Sequence, residues 1–183
     1  MKHLKYLIAL LLILSFSGCT DPEPPRTNEQ SVEYPQSELY NSTIILTAKG
    51  VKNTELNAEY IAKYKDKKET FTRGIDAVFY NEEGEKISDL VADSGWVNEE
   101  TQMMEVLGNV VVVNDEGVKL ETESLRWDPQ IDKIVTDDFV KITTEDGDIL
   151  TGYGLQTDQR LRKFKILKNV QGKIEKLPEE ELE

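Results

Sequence analysis

The chain has 183 residues, 35 of them acidic against 22 basic, and a formal net charge of -13. A surface that acidic repels phosphate backbones, which argues against nucleic acid as a partner. One histidine, His3, and one cysteine, Cys19, leave no disulfide within the chain and little material for metal or nucleophilic sites.

The first predicted element is a processing segment. Lys2 and Lys5 precede an unbroken apolar run over residues 6–14, followed by Ser15, Phe16, Ser17, Gly18 and Cys19. A charged start, a short apolar stretch and a small-residue end make an export signal over residues 1–18. The run is about half of the roughly twenty residues that a spanning helix needs, which argues against a permanent transmembrane anchor. Ser17, Gly18 and Cys19 resemble the lipobox of bacterial lipoproteins, in which the cysteine is diacylated and becomes the new N-terminus. Phe16 stands where that family prefers leucine. An ordinary signal peptide with an incidental cysteine is the alternative. Two or three acyl chains on Cys19 would hold the protein stably on its membrane.

Removing the signal takes Lys2, Lys5 and His3 with it, so the formal charge moves from -13 to -15. The lipidated chain then has no imidazole and no free thiol. That excludes Ser-His-Asp and Cys-His machinery and any zinc or iron site built on His or Cys. Carboxylates remain, among them Asp137 with Asp138 and Asp146 with Asp148. All four fall at predicted turns or strand ends, where acids serve conformation. No catalytic residue, cofactor or metal site is assigned, and no enzyme activity is expected.

Residues 19–41 hold four prolines and several acids among few apolar positions and read as a linker. Fully extended it reaches about 70 Å, and as a coil about 25 Å, so the domain behind it floats close above the membrane. Residues 42–174 form that single domain, of ordinary size. Its first strand is predicted at residues 44–48, with Ile44, Ile45 and Leu46. Leu56, Ala58, Tyr60, Ala62 and Tyr64 then alternate with a mostly polar set, the mark of a strand with one buried face.

From there a pattern recurs. The octets Ala77 to Gly84, Val110 to Gly117 and Val140 to Gly147 each run from a β-branched or apolar stretch into an acidic, glycine-ended turn, with glycine spacings of 33 and 30 residues. Tyr64, Trp96 and Trp127 keep nearly the same step, at 32 and 31. Residues 104–127 are the clearest unit: strand, a turn at Asn114, Asp115, Glu116 and Gly117, strand. One hairpin cannot bury its own apolar face, so a period of this kind implies a sheet grown by repetition. Aligning the turns puts Ala77, Val110 and Val140 at one position and Phe79, Val112 and Ile142 two residues later, all apolar and expected to line an interior. Val78, Val111 and Lys141, and then Tyr80, Val113 and Thr143, are expected outside or half covered. Loops at Asp66, Asn98 and Asp128 are short and polar with no amphipathic helical stripe after them, so the class is all-β. Trp96 and Trp127 are expected to cap the core on one side, and Met104 to fill a strand.

The last predicted strand, residues 161–170, breaks the acidic pattern. Arg160, Arg162, Lys163, Lys165 and Lys168 crowd around Leu161, Phe164, Ile166, Leu167 and Val170. Such lysines protect an edge strand from uncontrolled pairing, or dock an anionic partner or phosphorylated lipid. The tail over residues 175–183 is acidic.

This order of export signal, linker and repeated strand-turn-strand units, closing on the stretch from Gly152 to Gly172, resembles the LptC family over residues 41–173. The resemblance implies an open, twisted β-jellyroll of antiparallel strand-turn-strand units whose greasy interior shelters acyl chains. It implies a periplasmic, membrane-tethered protein, here lipid-anchored to the inner membrane, without catalytic residues. Its implied partners are lipopolysaccharide, the inner-membrane ABC transporter subunits of LptB, LptF and LptG type, and a soluble LptA-like jellyroll. Familiar members are held by a transmembrane helix, whereas Cys19 implies a lipid anchor here. Lipid-contacting residues are then Ala77, Phe79, Met104, Val110, Val112, Val140 and Ile142. The edge strands are those of Ile44, Ile45 and Leu46, toward the transporter, and of Phe164, Ile166 and Leu167, toward the LptA-like partner. The rival readings are a structural or adhesive β-sandwich lipoprotein that binds protein or glycan, and a glycan hydrolase built on a carboxylate pair.

Overall fold

The computed structural model describes residues 34–175, which hold nine strands and no helix. They are β1 (Ser37–Ala48), β2 (Val51–Tyr64), β3 (Glu69–Tyr80), β4 (Lys86–Asn98), β5 (Met104–Asn114), β6 (Lys119–Asp128), β7 (Lys133–Thr143), β8 (Ile149–Thr157) and β9 (Phe164–Lys173). All pair antiparallel in chain order in one open sheet, with β1 and β9 at its two edges. The export signal, Cys19, most of the linker and all but the first residue of the acidic tail lie outside the described residues.

The repeat is a repeat of turns. Asn81 Oδ1 accepts from the backbone N–H of Glu83 and Glu85 at 3.0 and 2.8 Å, and Asn114 Oδ1 from Glu116 and Val118 at 3.0 and 2.8 Å. Thr144 Oγ1 takes the same role, accepting from Asp148 N–H at 3.1 Å. In each case the glycine three residues on, Gly84, Gly117 or Gly147, sits at φ 83, 76 or 89 and donates its N–H to the carbonyl that opens the turn. A side chain that copies a backbone turn, followed by glycine in the left-handed region, is why these three short motifs reverse the chain without help from the core.

The register aligns the apolar positions across the sheet. Ile44, Leu56, Ala77, Leu90, Val112, Leu120, Ile142 and Leu150 are successive cross-strand partners. The row is fully buried at Ala77, Val112, Leu120 and Ile142 and half-buried at Leu90 and toward the edges. The expected interior is therefore present, with one correction: Phe79 is not level with Val112 and Ile142. The β3, β4 and β5 ladders stagger the first unit by two residues, so Ala77 shares their row and Phe79 stands one step nearer the turns.

A second inward row, Ile61, Thr72, Gly95, Val106 and Leu125, buried at all but the half-buried Val106, crosses the other half of the same strands. Leu120 and Leu125 on β6 are both buried though an odd number of residues apart, as are Ala77 and Thr72 on β3. In an unbroken strand such pairs face opposite sides, so β3 and β6 change their buried face partway along, whereas β5 keeps one parity from Val106 to Val112. From β4 to β9 a line of bulges crosses the sheet at this level, with register shifts at Val91/Ser94, Leu107/Val110, Thr122/Arg126, Thr136/Phe139 and Thr151/Tyr153, while on β3 both ladders pass Gly74, at φ 64, without a shift. Bulges bend strands and increase their twist, and here they roll the sheet so that one half of it faces the other. Gly108, at φ 78, takes a backbone conformation there in which any Cβ would meet the Asp93 carboxylate at 2.5 Å.

Three sequence expectations change. Strand β1 begins at Ser37 rather than at 44, only two residues after Pro35, because Ser37, Glu38, Leu39 and Tyr40 find partners on β2 and Tyr40 stacks near Tyr60. Strand β9 begins at Phe164, and Leu161 lies before it in a tight turn at φ 53. Asp137 and Asp138 lie mid-strand on β7, at the bulge line, where Asp138 accepts from Ser124 Oγ at 2.6 Å. That bond gives Asp138 a structural role in the bend.

Candidate functional site

Between the two facing halves of the sheet lies a mostly apolar cavity of about 360 Å³. One wall comes from the turn-proximal halves of β2 to β5, with Thr54, Phe79, Leu90 and Val112. The other comes from Met104 and Val106 on β5, Leu125 and Trp127 on β6, Ile134 on β7, and Leu161. Met104 and Trp127 are cross-strand partners. Strand β5 can line both walls with its two halves only because the bulge line rolls the sheet.

Of the residues expected to contact lipid, Phe79, Met104 and Val112 line this cavity. Ala77, Val110, Val140 and Ile142 do not. They sit in the solid core beside it, at 4, 1, 0 and 1 % exposure, with no free surface to offer. Trp127, expected as a core cap, is part of the wall, whereas Trp96 lies with Tyr64, Lys67, Glu69 and Phe71 around a shallow depression elsewhere. Val106, Leu125 and Trp127 are the lining residues that were missed, whereas Met104 was expected. Leu125 and Trp127 have the opposite parity to Leu120 and Thr122, which hid them as long as β6 was read as unbroken, whereas Val106 shares the parity of Val110 and Val112.

The polar groups of the wall are few. Asn53, Ser88, Glu105 and Gln159 contribute, and the amide oxygen of Asn53 is buried with no hydrogen-bond donor from the described residues. Among the described residues no group of His, Cys, Asp and Glu is arranged to hold a metal.

The edge strands divide unevenly. On β1, Ile44 is half-buried while Tyr40, Ile45 and Leu46 are exposed at 62, 58 and 52 %. On β9, Phe164 and Ile166 pack inward against the core, and Leu167 and Val170 are exposed. Near the start of β1, Tyr60 Oη donates to Glu38 Oε1 at 2.5 Å, and that bond pushes the Tyr60 phenol up to about 12. Pairing therefore continues to the very start of β1. On β6, Glu121 is bracketed by Lys119 at 2.9 Å and Lys141 at 3.1 Å, which hold its carboxyl below the usual range.

The basic group does not act as one patch. Arg162 is engaged, its Nη2 with Asp115 Oδ2 at 3.0 Å and its Nε with Glu116 Oε1 at 2.9 Å. Arg160 is half-buried and its carbonyl accepts from Asn114 Nδ2 at 2.8 Å. Lys163, Lys165 and Lys168 remain exposed.

An open, rolled antiparallel sheet around an apolar trough is the architecture that the resemblance implied. A family model described as lipopolysaccharide-assembly, LptC-related, matches residues 6–175. The chain belongs to the LptC family. No curated protein matches it closely enough to add to that assignment. Membership gives this LptC-family chain a role in lipopolysaccharide transport, in association with the transport system of the envelope and on its periplasmic side. LptC proteins are transport-bridge proteins and are generally not enzymes. Among the described residues no helix is long and apolar enough to cross a membrane.

Proposed function

We propose that this protein receives lipopolysaccharide from an inner-membrane ABC transporter and passes it to a soluble LptA-like jellyroll, with acyl chains sheltered in the trough. The cavity between the two sheet halves carries the reading, because a filled sandwich would leave no apolar space there. About ten methylenes gain about 8 kcal/mol on leaving water, but chains arriving from a bilayer leave one apolar medium for another. The net transfer term is therefore small, which suits a carrier that must release what it binds. A hydroxyl or amide N–H on the ligand would satisfy Asn53 Oδ1. Displacement of a fluorescent lipid probe by lipopolysaccharide tests the reading. Displacement by lipopolysaccharide and not by its delipidated saccharide is expected, and a probe that never binds would sink it.

The anchor in this reading is Cys19. Cys19→Ala is expected to leave a preprotein without lipid modification, seen as a lost mass increment and lost partitioning into detergent. Unchanged mass and partitioning would remove the lipoprotein assignment and leave the trough untouched. The two sheet edges give the carrier its direction. The first strand follows the tethered linker and faces the transporter, while β9, with Lys163, Lys165 and Lys168 near it, faces the LptA-like partner by β-augmentation.

A further inference from the structure

The connection between β8 and β9 crosses from one wall of the trough to the other. Its residues 158–163 follow β8, yet they contact the β5–β6 turn on the facing half of the sheet. Arg162 holds Asp115 and Glu116, and Asn114 donates to the carbonyl of Arg160. Within the loop, Asp158 Oδ1 accepts from Arg162 N–H at 3.0 Å and the Asp158 carbonyl from Leu161 N–H at 3.2 Å. This arrangement drives Leu161, at 3 % exposure, into the core and into the lining of the cavity.

We propose that this loop is a gate on the acyl trough, with Leu161 as its plug and Arg162 as its clasp, so that a long acyl chain must displace Leu161 to occupy the trough fully. The inference rests on the lipid-carrier reading above. The holding contacts are of the kind that opens readily. The ion pairs are partly solvated, with Arg162 at 40 % and Asp115 at 28 % side-chain exposure, and such pairs are weak and screened by salt. Leu161 is held at φ 53, a backbone region that a leucine disfavours, so opening relieves strain. The plug itself is a branched four-carbon side chain, and the methylenes of an entering acyl chain replace its contacts in kind.

The test uses the purified full chain and dansylated fatty acids from octanoic to hexadecanoic. In the wild type, affinity rises by about fourfold per methylene and then levels off before the longest members. Leu161→Gly, which removes the plug and accepts the positive φ, is expected to extend the rise to longer chains. Arg162→Ala is expected to speed probe exchange by about two- to fivefold and to abolish its acceleration by salt. Asp115→Asn with Glu116→Gln should reproduce Arg162→Ala, and exchanging the charges, R162E with D115R and E116R, should restore the wild-type rate. Circular dichroism and melting confirm that each variant folds. Should Leu161→Gly not fold, Arg162→Ala, which removes no buried side chain, carries the test. An unchanged length profile in a folded Leu161→Gly, or unchanged exchange in Arg162→Ala, overturns the gate while the trough stands. A wild type that binds none of the series overturns the trough and the gate with it.

Discussion

Val112→Arg is expected to abolish acyl-chain binding, lowering affinity for a lipid probe by at least about 100-fold, because it puts an unpaired charge on an apolar wall. Val112 lines the cavity and is 7 % exposed, so the arginine has space toward the trough and its fold should survive with a stability loss of about 1–3 kcal/mol. Ile142→Arg, two positions along the same row, should behave differently. Ile142 is 1 % exposed, does not line the trough, and belongs to the solid core, so a guanidinium there has no route to solvent and the domain is expected to unfold. Circular dichroism melting with probe titration separates the two outcomes. A folded Val112→Arg that still binds with wild-type affinity would place the lipid elsewhere, and a stable Ile142→Arg would contradict the packing.

The second large effect concerns β9. On an antiparallel edge strand, alternate N–H groups point to the neighbouring strand and to the open side. Proline removes one donor, so its effect depends on parity. Prolines at Lys165 and at Ile166 therefore test opposite directions, and one of the two is expected to break the contact with an LptA-like partner while leaving the domain folded. The other should loosen β9 from β8, and at Ile166 it also removes a side chain packed on the core. Steering is separable from pairing. Lys163→Glu with Lys165→Glu should slow association by about tenfold and reduce its salt dependence without disturbing the sheet. Site-specific crosslinks from β9 to the transporter, and from Ile45 or Leu46 to the soluble jellyroll, would reverse the proposed orientation.

Much of this protein was legible without coordinates. The three turns were, because Asn81, Asn114, Thr144 and their glycines act through bonds no more than four residues apart. So were the strands between them and the apolar row through Val112 and Ile142, since a period of two needs no knowledge of what lies across the core.

What only the tertiary structure decided is which side chains of the far strand halves form the wall opposite that row. The decision falls at the bulge line, where a one-residue shift reverses which side chains face inward. Reading Trp127 and Leu125 as cavity lining requires knowing that β6 has already turned over. Ala77, Val110, Val140 and Ile142 share the same apolar pattern with Val112, and nothing local separates a side chain packed on all sides from one packed on all sides but one. The pairing of Arg162 with Asp115, 47 residues away, is likewise invisible to any local pattern, because it depends on one half of a rolled sheet arriving opposite the other.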